Sequence, residues 1–118
     1  MKFKFEDLII WQKGMGLAEE LNKASEKFPK KEIFNLSSQI CRAAGSIALN
    51  IAEGSIGQSN LEFRKFMGYA IRSLAEVVTC LHKANRRFYI SEQEFKTYYY
   101  AESYSLMNMM VAFKNKIK

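Results

Sequence analysis

Apolar residues return along the chain with helical period in four blocks. In the first, Leu8, Trp11, Met15, Ala18, Leu21, Ser25 and Phe28 follow three-and-four spacing, which predicts a helix over about 6–27. Glu6 and Asp7 fall in its first turn, where acids suit the positive end of the helix dipole. Pro29 stops it, since a residue before proline avoids the helical region. The second block, Leu36, Ile40, Ala43, Ile47 and Ile51, predicts a helix from about 31–35 to 53, with Gly54 as a left-handed cap. Ala43, Ala44, Gly45, Ser46 and Ala48 are small enough to let a neighbouring helix come close. The third, Phe63, Phe66, Met67, Ala70, Leu74, Val77, Leu81, Ala84 and Phe88, predicts a long helix over 60–87, capped by Ser59 with Glu62 three residues on. The fourth starts at Ser91, with Glu94 in the same relation, and its stripe runs Phe95, Tyr99, Glu102, Leu106, Met109, Phe113 and Ile117, with Glu102 as an interruption.

Four amphipathic helices with short connections predict an all-α fold, an antiparallel up-down four-helix bundle, as one domain over 1–118. Two runs do not fit on one helix face. Leu8-Ile9-Ile10-Trp11 and Tyr98-Tyr99-Tyr100 leave an apolar excess (Ile9, Ile10, Tyr98, Tyr100) that predicts contact between copies of the chain, with a broad core as the competing reading for the tyrosine run.

Charge adds a direction to this picture. The net charge is +6, with +1 on residues 1–59 and +5 on residues 60–118. A basic half suits a polyanionic partner such as RNA or DNA. The candidate contacts are Arg64, Lys65, Arg72, Lys83, Arg86 and Arg87, with Lys114, Lys116 and Lys118 as a basic tail. No recognition-helix or RNA-binding signature accompanies them, so contact would be to the backbone and strongly salt-dependent. A solvated basic surface with no nucleic-acid partner is the competing reading.

Candidate chemistry narrows quickly. His82 is the only histidine and Asp7 the only aspartate, and Thr79 stands three residues before His82, so neither a Ser-His-Asp set nor a Glu-x-x-His di-iron pattern is present. No phosphate-cradling glycine motif or zinc-protease motif occurs. Cys41 and Cys80 lack metal or redox spacing and are expected to be buried, reduced packing residues. The expectation is a non-enzyme with no catalytic residues, metal or cofactor. One polar stripe remains: Gln39, Arg42, Ser46, Asn50 and Glu53, with Ser73 and Glu76 facing it from the next helix. It reads either as a pocket or, as the favoured case, as a bonded network in which Arg42 pairs with Glu53 or Glu76. No apolar run is long enough to span a membrane and the N-terminus has no signal-like segment, so the expected place is the cytoplasm.

Several segments together resemble a known family. FEDLIIWQKG, FPKKEIFNLSSQICRAAGSIALNIAEG and EFRKFMGYAIRSLAE are similar to the four-helix bundle proteins encoded in intervening sequences of bacterial 23S rRNA genes. The likeness covers residues 5–84, most specifically Leu8 with Trp11, Phe28-Pro29 with Glu32, Gln39 to Ala44, Ser46-Ile47 and Asn50 to Gly54. A related group, the accessory proteins of diversity-generating retroelements, forms basic pentameric barrels that bind nucleic acid and a reverse transcriptase. The resemblance therefore implies a homopentamer with an RNA-linked role, or a partner protein. The chain departs from the family pattern at Cys41 and at Ile56-Gly57, where basic residues are common, and at Arg72-Ser73, where Gly-Ser is usual. Any inherited nucleic-acid surface would thus shift from the loop toward the third helix. The alternative is a protein-interaction scaffold that ignores nucleic acid.

Overall fold

The computed structural model describes all 118 residues. Four helices form the body: α1, Ile9–Ser25; α2, Leu36–Ser55; α3, Asn60–Arg86; and α4, residues 92–116. Each of α1 and α3 packs against both α2 and α4, so the helices close into an antiparallel bundle of 43 × 26 × 24 Å. The long dimension is that of α3, whose 27 residues would span about 40 Å at 1.5 Å per residue. The core is one continuous cluster that includes Leu21, Leu36, Ile40, Ile47, Ile51, Met67, Leu74, Val77, Leu81, Leu106 and Met110.

The first helix begins later than its apolar pattern suggests. Residues Lys4–Asp7 form a separate 3-10 turn, and Leu8, with extended backbone, precedes α1. Glu6 and Asp7 therefore sit outside the helix and not in its first turn. The buried face is also rotated by about one residue: Ile10, Gly14, Leu17, Leu21 and Ser25 face inward, while Leu8, Trp11 and Ala18 only flank the core and Met15 is exposed. Gly14 explains the choice. A Cβ there would lie 3.2 Å from Ile47 Cγ2, so α1 lies tightly on the small-residue face of α2, where Ala44 and Ala48 are buried. Ile10, at 4% exposure, belongs to the core and not to the apolar excess, whereas Ile9 stays 57% exposed.

Gly54 is not a left-handed cap. No glycine in the chain has positive φ, and α2 continues through Gly54 to Ser55, with Ile56 as its cap. Gly54 is buried where α3 crosses, and a Cβ on it would lie 2.7 Å from Phe66 Cβ and 2.9 Å from Phe63 Cδ1. Ser59 does cap α3, accepting from Glu62 N–H at 3.1 Å, but the return bond of a capping box is not made there. At Ser91 both halves of the box form with Glu94.

The fourth helix contains a π-helical stretch, Phe95–Tyr100, between an α-turn at Glu92–Glu94 and the α-helix Ala101–Lys116. The wider turn delays the inward face by one position. Phe95, Tyr99, Ser103, Leu106 and Met110 are buried, and Glu102 is exposed. The acid that interrupts the stripe in the sequence is thereby rotated into solvent. Tyr98 and Tyr100 remain on the surface. Cys80 is fully buried and burial raises its thiol pKa, while Cys41 is only half-buried, with Sγ 3.2 Å from Ser25 Oγ. No helix is long and apolar enough to cross a membrane.

Candidate nucleic-acid interface

The six basic residues singled out from the sequence have different fates. Arg64 is turned along the bundle and donates through Nη1 to the carbonyls of Lys114 (3.1 Å) and Ile117 (3.0 Å). It closes the C-terminal end of α4, where carbonyls lack helical partners and a cation is favoured. Arg87 donates to Glu32 Oε2 at 2.9 Å. Lys83 Nζ reaches Gln39 Oε1 at 3.5 Å, across from α3 to α2. Lys65 lies over the Tyr69 ring, 5.9 Å from its centroid, and remains exposed. Arg72 and Arg86 are exposed and make no hydrogen bond or ion pair within the chain. Lys65, Arg72 and Arg86 are spaced by multiples of seven residues, so they form one row along α3 of about 30 Å. Glu76 is exposed on the same side of the helix and breaks the row's charge near its middle.

The polar stripe is divided rather than joined. Ser46 Oγ lies 2.6 Å from Ser73 Oγ, and Ser73 donates to the Tyr69 carbonyl at 3.1 Å, which links α2 to α3. Asn50 Nδ2 donates to the Ser46 carbonyl at 2.8 Å. Arg42, Glu53 and Glu76 take no part: all three are exposed, and Arg42 reaches only the Ser38 carbonyl of its own helix, at 3.4 Å. The expected ion pair of Arg42 with Glu53 or Glu76 is absent. Exposed side chains keep their hydration, so nothing compels them to pair. What remains is the Ser46–Ser73 contact and the longer Gln39–Lys83 one, both between α2 and α3.

In the sequence the strongest polar cluster shows only through the family likeness at Phe28-Pro29 with Glu32, which gives Glu32 no partner. Glu32 follows Pro29 in a 3-10 turn, Lys30–Glu32, and is only 4% exposed. Its Oε2 accepts from Tyr89 Oη at 2.7 Å and from Arg87 Nη1 at 2.9 Å; its Oε1 accepts from Asn35 Nδ2 at 3.1 Å and from Leu36 N–H at 3.4 Å. The carboxylate thus caps α2 and ties that end to the loop after α3. The Tyr89 bond, aided by Leu36 N–H, Arg87 and Asn35, lowers the Glu32 pKa against the opposing pull of burial. The same bond raises that of the Tyr89 phenol. The two partners lie 55 and 57 residues away in sequence, beyond any local spacing rule.

A second surface feature lies between α3 and α4. Ala75, Val78, Tyr100, Ser103, Tyr104 and Met107 line a mainly apolar groove of about 270 Å³. Ser103 Oγ, at its floor, is buried and has no hydrogen-bond partner. No group of three or more His, Cys, Asp or Glu side chains is arranged to hold a metal ion.

The sequence profile of the 23S rRNA-intervening sequence proteins matches residues 6–112. The chain belongs to that family. No curated protein matches it. The fold of this family member is shared by a solved structure, that of a protein of unknown function from the S23 ribosomal protein family of Bacteroides thetaiotaomicron. The TM-score is 0.83, with 20% sequence identity, and the likeness covers 92% of this chain and 96% of that one. At that identity the likeness speaks for the bundle.

Proposed function

We propose that the protein is a non-enzymatic, homo-oligomeric bundle that contacts the backbone of RNA or DNA through a basic surface. The observation that carries this reading is uncompensated charge. Only three ion pairs form in a chain with 18 Lys and Arg and a net charge of +6. Lys65, Arg72 and Arg86 supply a row of cations whose length suits successive phosphates. Lys83 and Arg87 lie beside it but are partly engaged within the chain, and Arg64 serves the fold. Assembly is supported by the exposed apolar side chains Ile9, Tyr98, Tyr100 and Tyr104. A pentamer is the state that the family resemblance implies.

Light scattering combined with fluorescence anisotropy tests both parts. The protein should run at the mass of five protomers and bind a labelled nucleic acid at about 50 mM salt, with affinity falling steeply by about 200 mM. The pair Arg72→Glu and Arg86→Glu should weaken binding and flatten the salt slope by roughly one for each phosphate that is no longer neutralised. Arg87 is left unchanged because its reversal would set two carboxylates together at Glu32. Unchanged affinity would rule out this surface. A second reading, a protein-interaction scaffold, is favoured by the apolar groove between α3 and α4. It predicts no nucleic-acid affinity at either salt concentration.

A further inference from the structure

Two phenylalanines at one end of the bundle are almost wholly in solvent: Phe34 at 97% and Phe88 at 92% exposure. Phe88 also has φ of 61°, the only positive φ in the chain. It closes α3 in a Schellman arrangement, with Phe88 N–H bonded to the Asn85 carbonyl (3.1 Å) and Tyr89 N–H to the Ala84 carbonyl (2.9 Å). Glycine suits that position, and a bulky side chain there is strained. Here the strained residue gains no burial in return.

The setting is braced. Arg87 and Tyr89, on either side of Phe88, both hold Glu32 Oε2, and the Tyr89 ring packs against Phe28 with centroids 5.4 Å apart. Phe34 stands between Glu32 and Asn35, whose side chains bond each other at 3.1 Å. Lys30, Lys31 and Arg86, in the same two segments, are exposed and unpaired. Of the acids nearby, Glu32 pairs with Arg87 and Glu92 with Lys96 at 3.3 Å, Glu94 is held in the Ser91 capping box, and Glu26, which lines one surface pocket with Lys30, is exposed and unpaired, so cations still outnumber free acids here.

We propose that this end of the bundle binds single-stranded nucleic acid, with Phe34 and Phe88 as platforms on which unpaired bases stack and Lys30, Lys31 and Arg86 as phosphate contacts. The proposal rests on the basic-surface reading above and narrows its ligand. Duplex bases are already stacked on each other, so an exposed ring finds no free face there; unpaired bases offer one, and aromatic stacking beside cations is how single strands are held without sequence preference. Exposed rings alone would equally suit a protein partner, but the local excess of unpaired cations favours a polyanion.

The test uses the full chain with a labelled oligouridylate and a labelled RNA duplex of equal length. Phe34→Ala and Phe88→Gly remove the rings, and the second also relieves the left-handed strain, so weaker binding cannot be laid to unfolding. Each should weaken single-strand binding about tenfold, the scale of one base stack. Duplex affinity and the salt slope should stay as in the wild type, and Phe88→Trp should retain single-strand binding. Single-strand affinity within about twofold of wild type in both variants, or an equal loss on both probes, would overturn the stacking role, since a stack is worth about tenfold. If Arg72→Glu with Arg86→Glu still abolished binding in that case, the basic-surface reading would stand without it. Variants that fall apart into protomers on light scattering would mark the patch as an interface between copies and overturn the proposal. A wild type that binds neither probe would overturn both readings.

Discussion

Replacing Gly54 by alanine sets packing against helix propensity at one atom. The new Cβ would lie 2.7 Å from Phe66 Cβ, 2.9 Å from Phe63 Cδ1 and 3.4 Å from the Phe63 carbonyl. The phenyl ring of Phe63 can swing aside, but Phe66 Cβ is one bond from its backbone. Helix α3 must therefore retreat by about 0.7 Å to reach ordinary contact, which a close-packed interior resists. Overpacking of this kind costs about 1–3 kcal/mol, and alanine recovers about 1 kcal/mol of helix propensity over glycine. The net expectation for Gly54→Ala is a loss of about 1 kcal/mol. Gly45, in the same helix, has no atom within 4 Å of its would-be Cβ, so Gly45→Ala should gain about 1 kcal/mol from propensity alone. The difference between the two variants isolates the clash. It should appear in urea titrations as about 1–3 kcal/mol and in thermal melts as a gap of at least about 4 °C. Gly54→Asn separates packing from a capping role. Asparagine tolerates the left-handed region, so a cap would accept it better than alanine; a packed helix interior ranks it below alanine. Gly54→Ala as stable as Gly45→Ala, or Asn above Ala, would rule the clash out.

The Glu32 cluster predicts a pH dependence at both extremes. The folded Glu32 pKa is lowered, so its contribution is complete above the ordinary carboxylate range near 4.5 and is lost as pH falls through the folded value. The Tyr89 pKa is raised, so its contribution holds below the ordinary value of 10.0 and is lost as pH rises through the folded value. Melting temperature followed from about pH 3 to about pH 7 should drop on the acid side in the wild type and drop less in Glu32→Gln; parallel curves would deny Glu32 this part. Arg64→Met should loosen the end of α4 by about 1–3 kcal/mol, the scale of charge-assisted hydrogen bonds to two carbonyls. Hydrogen exchange of the amides in that last turn should quicken while α2 and α3 are unchanged, and unaltered exchange would deny Arg64 its capping role.

Four helices, their order and most of their core are legible in the sequence alone. Apolar period and caps are local properties, and residues such as Ile40, Ile47, Leu74 and Leu81 need no partner to declare their side. The register of α1 is set by its neighbour, because Gly14 admits Ile47 where the more hydrophobic face around Trp11 and Met15 does not. The π stretch in α4 moves Glu102 out of the core and Ser103 into it, a shift that a fixed 3.6-residue period does not express. Gly54 carries the composition of a cap, but the packing of Phe63 and Phe66 supplies the reason for it. On the surface, the sequence establishes the sign of the charge, and folding selects which cations are free. Arg64 and Arg87 read like Arg72 and Arg86 in one dimension; the carbonyls of α4 and the carboxylate of Glu32 set them apart in three. Those partners lie 50 or more residues away, and only the folded bundle brings them within reach.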